Sequence, residues 1–277
     1  MTGARVIGAA LRHVVLLAGA VVMLAPFVWM LSTSLKPPTE IFSTELSLLP
    51  QRWYAWENYR DAFVRVPLLR FMVNGAFVTA AIFAAQAAIA VPCAYALAKL
   101  RFRGGDTLFG LVLLGLLIPN HVPAIPLYIM LYKLGLLDSY AALVLPFTIS
   151  VFGIFLMRQF FLGVPDDLIN AARLDGMSEL GLVWRVMVPA AIPALLSFGI
   201  FSVVWHWNDY FWPFLVIQSD AFATPPLGVV HFRNQEAGHD FGPLMAAAVV
   251  ITAPLVLAFL VAQRRFIEGI TLTGVKG

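Results

Sequence analysis

The chain has few charged residues and a single cysteine. Of its 277 residues, 12% are charged and 61% are hydrophobic, which is the composition of an integral membrane protein. The lone Cys93 excludes an internal disulfide, and because it lies in an apolar run we expect its side chain to be packed. The net charge of +3 is small, so the composition does not indicate a nucleic-acid partner.

Sequence motifs for catalysis are also missing. No Gly-Lys dipeptide occurs, so there is no phosphate-binding loop of the P-loop type. No nucleophile elbow, zinc-protease signature or paired CxxC is found. The stretch Gln218–Gly242 holds His231 and His239 near carboxylates, but without the tight ligand spacing of a zinc site. The sequence therefore predicts a protein that is not an enzyme, with no catalytic residue, no metal and no cofactor. Any active transport would take its energy from another subunit.

Six apolar segments follow one another, each near the ~20 residues that a bilayer requires. They are His13–Leu35, Phe71–Ala98, Thr107–Leu131, Ser139–Phe161, Ala194–Ile217 and Pro243–Val261. The first is preceded by Arg5 and Arg12, but it is longer than the roughly 7–15 apolar residues of a cleaved signal peptide. The sequence therefore predicts an all-α membrane protein with six transmembrane helices.

The basic residues predict the orientation of these spans. If the N-terminus is cytoplasmic, most lysines and arginines fall on the inner side, and each short outer loop carries only one. The positive-inside rule then favours cytoplasmic N- and C-termini. The longer outer loop, Lys36–Arg70, is rich in tryptophan and tyrosine. Two interpretations stay open for it: an aromatic belt at the membrane surface, or a short amphipathic segment that touches an external partner.

Proline and one carboxylate mark two of the predicted spans. The third span contains Pro119, Pro123 and Pro126, which predicts a bent or broken helix of the kind that often lines a pathway. The fifth span contains Asp209, the only carboxylate within a predicted span, and His206 lies three residues before it, close enough in a helix to pair. The candidate pathway or substrate residues are His206, Asn208, Asp209 and Tyr210. Anchoring at the membrane interface and helix packing are the alternatives for this group.

A charged stretch, Asn170–Pro193, separates the fourth and fifth spans, and we call it the polar segment. Just before it, Pro165, Asp166 and Asp167 are typical of a helix start, since carboxylates suit the positive end of the helix dipole. Gly176 lies where a left-handed residue would end that helix. The segment is too regular for a plain linker, and it predicts two short helices joined at a glycine.

The second of these helices is predicted to begin near Ser178 and to be amphipathic. Its apolar residues fall on one face by helical spacing, and the helix is expected to lie along the membrane surface. They are Leu180, Val183, Trp184 and Met187. Pro189 and Pro193 are expected to close the helix.

These residues resemble a known signature. Ala171-Ala172, Asp175-Gly176 and Pro189 are similar to the cytoplasmic signature of permease subunits of ATP-binding-cassette importers, which reads Glu-Ala-Ala, three residues, Gly and a later proline. In that family the signature forms a coupling helix that docks into a cleft on the ATPase subunit. The resemblance assigns the ATPase-coupling interface to Asn170, Ala171, Ala172, Arg173, Asp175, Gly176 and Pro189. Asn170 departs from the family glutamate, so an ionic contact becomes at best a hydrogen bond. Asp166 and Asp167 are candidates for the missing charge.

Several further phrases resemble the sugar-type branch of these importers, and specifically the second permease subunit as found in the maltose importer. They include Asn74-Gly75, Ile118-Pro119 and Leu134-Gly135-Leu136. The resemblance implies a type I importer permease fold in a bacterial cytoplasmic membrane, and transport of a sugar, a polyol or a glycerol-derived solute. It also implies a homologous second permease subunit, two ATPase subunits and an extracytoplasmic solute-binding protein as partners, besides membrane lipid.

The resemblance further divides the chain into residues 1–70, with the first span and an outer loop, a permease core of residues 71–264, and a C-terminal tail of residues 265–277. It implies that Gln218–Gly242 probes the binding-protein pocket and that the C-terminal end from Gln263 reaches the ATPases. The alternative function is an autonomous ion-coupled carrier or channel. That alternative requires buried ionisable groups, and it leaves the polar segment without a role.

Overall fold

The computed structural model describes residues 2–43, 47–119, 121–232 and 241–271, and in these ranges the backbone forms helices and no strand. The helices are α1 (Thr2–Ser34), α2 (Pro38–Ile41), α3 (Ala55–Val64), α4 (Leu68–Lys99), α5 (Gly105–Leu117), α6 (Ala124–Lys133), α7 (Tyr140–Val144), α8 (Val151–Leu162), α9 (Asp166–Leu174), α10 (Glu179–Leu182), α11 (Val188–Ala190), α12 (Ile192–Trp207), α13 (Phe211–Val216), α14 (Pro225–Val229) and α15 (Phe241–Thr271). Leu145–Phe147 and Val230–Phe232 are 3-10 turns, and Val183–Met187 is a π-helix.

Among the described residues, three stretches are long and apolar enough to cross a membrane by length and composition: Gly8–Ser34, Leu68–Lys99 and Phe241–Val261. Two further pairs of helices would raise the number to five if each counts as one bent span. The predicted span Thr107–Leu131 is divided into α5 and α6, which confirms the expected break at its prolines. Pro123 is the residue that precedes α6, and Ile118, before Pro119, is extended, as residues before proline prefer. Six spans remain a prediction.

One compact unit comprises Met1–Leu69 and Gly228–Pro254. Its centre is Asn58, which is 1% exposed and donates hydrogen bonds to the carbonyls of Ser34 and Lys36 at 3.0 and 2.9 Å. Gly242 packs so closely here that a Cβ atom on it would lie 2.3 Å from Asn58 Oδ1. Asn58 therefore satisfies carbonyls that the end of α1 leaves free.

The other unit comprises Arg70–Leu227 and Leu255–Gly277. It has two main hydrophobic clusters, and α4 contributes to both. The Met187 cluster contains Val91, Ala94, Tyr95, Met157, Phe161, Val164, Ile169, Ala172, Leu182, Val183, Met187, Ala191 and Ala194. The Val216 cluster contains Val78, Ile82, Ala124, Leu131, Ala142, Leu143, Trp212, Val216 and Ile217. Cys93 is exposed, so its expected packing was wrong: it lies on the side of α4 opposite its buried neighbours Val91 and Ala94–Tyr95.

Candidate functional site

Helix α9 forms as the sequence predicts. Pro165 precedes it, and Asp166 and Asp167 occupy its first turn, where carboxylates complement the helix dipole. Its apolar residues Ile169 and Ala172 are buried in the Met187 cluster. Gly176 has a positive φ of 76°, which a residue without Cβ adopts at low cost. The glycine turn after α9 is therefore confirmed.

A cluster of three polar side chains ties both sides of this turn to α4. Arg173 Nε donates to Glu179 Oε1 at 2.8 Å, and the Tyr95 hydroxyl donates to Glu179 Oε2 at 2.5 Å. Arg173 Nη2 also donates to the Tyr95 oxygen at 3.3 Å. The hydrogen bond to Glu179 raises the pKa of Arg173, so the guanidinium stays cationic. Because Arg173 precedes Gly176 and Glu179 follows it, the cluster fixes the angle of the turn.

A second contact anchors the start of α9. Lys99, the last residue of α4, donates to the Val164 carbonyl at 2.7 Å and to Asp166 Oδ1 at 2.6 Å. The hydrogen bond from Lys99 lowers the pKa of the Asp166 carboxyl, and the nearby charges of Lys99, Arg101 and Arg173 lower it further. Asp166 therefore anchors the start of α9 to the end of α4. Asp166 and Asp167 both remain candidates for the charge that the family glutamate would supply.

The opposite face of α9 is exposed. It carries Asn170 and Ala171 together with Leu174, whose side chain is 89% exposed. Sequence reasoning did not single out Leu174, although a large apolar residue immediately before the Asp175-Gly176 turn was the available signal. A polar helix that exposes such a residue at its end offers an apolar contact to another protein.

The helix after the turn begins where the sequence predicts. Ser178 caps it, with Oγ accepting from the Gly181 N–H at 3.2 Å. Of the four apolar residues expected on one face, Val183 and Met187 are buried in the Met187 cluster, whereas Leu180 and Trp184 are 65% and 44% exposed. The structure also contains a π-helix, Val183–Met187, which helical spacing did not predict.

This helix ends where its prolines predict. Helix α11 contains Pro189 and ends at Ala190, and Pro193 lies in the first turn of α12, where its missing N–H is tolerated. The chain turns at Ala191, where the helical stretches Glu179–Ala190 and Ile192–Trp207 meet at 85°.

Three interruptions of the apolar helices lie side by side, and we call them the break layer: Ile118–Pro123 with residue 120 undescribed, Thr148–Ser150, and Asn208–Tyr210. The His121 ring lies edge-on to Phe211 with centroids 4.7 Å apart, which brings the first break to the third. The Phe147 ring lies 5.0 Å from His206 and 5.8 Å from Trp212, which brings the second to the third. Sequence patterning located only the first of these breaks.

Helix α4 is continuous and carries Gln86 between the residues that it contributes to the two hydrophobic clusters. The Gln86 amide donates to the Phe147 carbonyl at 2.9 Å, at the end of the first half of the bent pair. It also lies 3.3 Å from His206 Nε2, and its oxygen accepts from Ser202 Oγ at 2.7 Å. We call these four residues the Gln86 junction. Gln86 and Ser202 are 5% and 6% exposed, so the junction satisfies a carbonyl that the break would otherwise leave unpaired.

The candidate pathway residues have separate partners. His206 belongs to the Gln86 junction, whereas Asp209 Oδ1 accepts from the Trp212 N–H at 3.2 Å and thereby caps α13. The pairing of His206 with Asp209 that their spacing allowed is therefore not formed, because the helix ends between them. Asn208 is exposed and donates to the Val204 carbonyl at 2.8 Å. Tyr210 stacks on Phe214 with centroids 5.3 Å apart.

The far end of this unit, beyond the break layer, is held by Asp138 and Asn74. Asp138 Oδ1 accepts from the Gln218 N–H, the Ser219 N–H and the Ser219 hydroxyl, each at 3.0 Å. Partial burial opposes its ionisation, but the bonds from Ser219 and Gln218 outweigh this and lower the pKa of Asp138. Asn74 donates to the carbonyls of Ala221 and Ala223 at 3.0 and 2.9 Å. The stretch after α13 is thus fixed at both ends.

Some predicted features cannot be placed. Within the described residues, no group of three or more potential metal ligands occurs. Residues 233–240, which include His239 of the considered metal group, lie outside the described residues, as do residues 272–277 of the C-terminal tail.

Comparison with known families shows which protein family has this arrangement. The family model described as "Binding-protein-dependent transport system inner membrane component" matches residues 88–271. The chain belongs to this family. The match covers the polar segment and the whole break layer of the permease.

Curated relatives agree with this assignment and extend it to the sugar branch. The arabinooligosaccharides transport system permease protein AraQ of Halalkalibacterium halodurans is 30% identical over 260 residues, which is 93% of both chains. AraQ of Bacillus subtilis is 32% identical over 260 residues, 92% of this chain and 91% of the relative. The sn-glycerol-3-phosphate transport system permease protein UgpE of Pectobacterium atrosepticum is 27% identical over 265 residues, 93% and 94% of the two chains. The predicted resemblance to sugar-type importer permeases is confirmed, and these relatives are transport proteins rather than enzymes.

A solved structure shares the fold. A chain of a bacterial ABC transporter involved in the import of the acidic polysaccharide alginate matches with a TM-score of 0.84 and 24% identity, over 96% of this permease and 99% of that chain. The all-helical architecture of a type I importer permease is therefore confirmed.

Proposed function

We propose that this permease is one of two homologous membrane subunits of an ATP-driven, binding-protein-dependent importer. Its solute is a sugar or a related polyol or glycerol-derived compound, the class named for its relatives. Its partners are the second permease, two ATPase subunits that hydrolyse ATP, and an extracytoplasmic solute-binding protein. It spans a bacterial cytoplasmic membrane six times with both termini inside. Residues 1–70 form the first span and outer loop, 71–264 the core, and 265–277 a cytoplasmic tail.

The observation that carries this proposal is the anchored turn of the polar segment. A helix that transmits force from an ATPase must be fixed to the spans and must leave one face free. Arg173, Glu179 and Tyr95 fix the turn to α4, and Lys99 with Asp166 fixes the start of α9. Asn170, Ala171 and Leu174 are left exposed. We therefore assign the docking face to Asn170, Ala171, Leu174, Asp175 and Gly176, with Ala172 buried behind it, Arg173 anchoring it and Pro189 in the helix that leads back to the membrane.

The break layer supports a pathway through the same unit. Broken helices at membrane depth are tolerated where they face protein or a cavity, and transporter sites are commonly formed there. In the importer, Asn208 and Tyr210 at the third break are the side chains that would meet a polyhydroxylated solute. His206 holds the neighbouring helices through Gln86, and Asp209 orders the start of α13.

The proposal is tested by purifying the tagged permease in mild detergent after co-expression with its chromosomal neighbours. The expected result is co-purification of an ATPase and a second permease. Leu174→Asp should release the ATPase, because it places a charge on the apolar end of the docking face. Leu49→Asp is the matched control, since Leu49 is 75% exposed but lies in the outer loop. A wild-type chain that purifies alone and transports without ATP would favour the autonomous carrier instead.

A further inference from the structure

A groove of about 370 Å³ opens between the end of α4 and the flank of α9 that carries Asp166, Asn170 and Arg173. Three cations line it, Lys99, Arg101 and Arg173, together with Asp166 and Asn170. It therefore borders the docking face assigned above and is built from charged and polar side chains.

The charges in this groove do not balance. Lys99 is paired with Asp166 at 2.6 Å, and Arg173 is paired with Glu179 at 2.8 Å. Arg101 influences the Asp166 carboxyl electrostatically, but no carboxylate in the described part of the chain lies within ion-pair distance of it. The groove thus has an excess of positive charge, and Arg101 carries it.

Asn170 adds a neutral donor to the same groove. A guanidinium and an amide N–H₂ together supply several N–H donors, and a carboxylate accepts such donors on both of its oxygens. Arg101, which has no carboxylate partner in the described residues, and the Asn170 amide therefore suit a carboxylate in this groove.

We propose that the groove receives an acidic side chain of the ATPase subunit, which Arg101 and Asn170 hold. This inference rests on the proposed function and adds the chemistry of the contact. An anionic lipid headgroup is the competing occupant, because Arg101 follows the last residue of α4 by only two positions. Lipid-binding segments, however, usually concentrate four or more basic residues, and in this groove only one cation is unpaired. The observations favour the carboxylate.

The test compares Arg101→Glu with Arg103→Glu in the co-expressed importer complex. Arg103 is the matched control, because it lies in the same loop and lines only the neighbouring cavity, whereas Arg101 lines both that cavity and this groove. The measured quantity is the ATPase retained by the tagged permease as the salt concentration rises. We expect Arg101→Glu to weaken retention about tenfold or more, since it sets like charges against each other. Arg103→Glu should behave as the wild type, Arg101→Lys should retain most of the ATPase, and Asn170→Ala should show a smaller loss.

Three results would overturn this inference. Equal retention by Arg101→Glu and the wild type would show that no carboxylate binds there, and equal losses for both glutamate variants would show a general effect of surface charge. In lipid vesicles with and without phosphatidylglycerol, a loss of lipid dependence in Arg101→Glu with unchanged ATPase retention would assign the groove to a headgroup. If instead the wild type retains no ATPase, the proposed function itself fails.

Discussion

The polar segment and the Gln86 junction hold the same permease together with different chemistry. Around α9, the chain uses two ion pairs: Arg173 with Glu179 at the glycine turn, both exposed, and Lys99 with the exposed Asp166 at the start of the helix. At the break layer, it uses an amide, a hydroxyl, an imidazole and a carbonyl, with Gln86 and Ser202 buried. Water screens and solvates the first set, whereas burying a charge in the second would cost far more than burying a neutral group. Ion pairs therefore occur where water reaches the side chains, and neutral hydrogen bonds occur where the side chains are buried.

The largest effect is expected from Gln86→Leu, which removes the junction. The Phe147 carbonyl loses the donor that satisfies it, and a buried polar group without a partner costs about 1–3 kcal/mol. We expect a lower unfolding temperature in detergent and a reduced transport rate in vesicles.

The matched control for this change is Gln159→Leu, because Gln159 is exposed on α8. It should leave both quantities near those of the wild type. If the two variants were equally stable, the Gln86 junction would not be a stabilising element and the contrast between the two regions would fail.

A second comparison tests whether coupling depends on overall stability or on where a left-handed glycine lies in the fold. Gly176→Ala and Gly135→Ala both place a Cβ on a residue with positive φ, 76° and 66°, and neither Cβ would meet an atom within 4 Å. Each should lose about 1–2 kcal/mol of stability for the left-handed conformation. Only Gly176→Ala is expected to lower solute-stimulated ATP hydrolysis, since Gly135 lies far from α9 in the sequence. Equal loss of coupling in both would mean that stability alone determines the activity.

Removing the Arg173–Glu179 ion pair at the turn should change stability and coupling less than the glycine substitution does. Exposed ion pairs contribute little and are screened by salt, so Glu179→Gln should change the unfolding temperature only slightly and lower coupling at most a few-fold. The wild-type rate should approach that of the variant as ionic strength rises. Tyr95→Phe is the companion change, because it removes a hydrogen bond to Glu179 and keeps the ion pair. A salt-independent difference between the wild type and Glu179→Gln would contradict a screened contact.

The smallest expected effect is the change in stability with pH that Asp166 causes. The folded state holds the pKa of Asp166 below its ordinary value of 3.8. Its contribution is therefore fully present above that value and is lost as the pH falls through the lowered pKa. Between about pH 6 and pH 8 we expect no change in the stability of the segment. The wild type should lose stability on acidification below about pH 4, and Asp166→Asn should remove part of that loss. Gln86→Leu should not change the pH at which this stability is lost. Unfolding curves at a series of pH values measure both.

Local structure was predictable where it depended on neighbours in the sequence. The start of α9, the left-handed Gly176 and the break at Pro119–Pro123 follow from residues within a few positions of each other, and all three are confirmed. Contacts between distant positions were not predictable. Gln86 reaches Phe147 and Ser202 across 61 and 116 residues, and Tyr95 reaches Glu179 across 84. The π-helix Val183–Met187 was likewise not predictable, because helical spacing alone assumes a regular α-helix.

The hydrogen bonding at the Gln86 junction determines how it responds to an electric field. The Gln86 amide, the Ser202 hydroxyl and the Phe147 carbonyl are all uncharged groups. A charge that crosses the membrane exchanges about 2.3 kcal/mol with the potential for every 100 mV. A rearrangement of these three groups moves no such charge, so the membrane voltage neither drives nor opposes it.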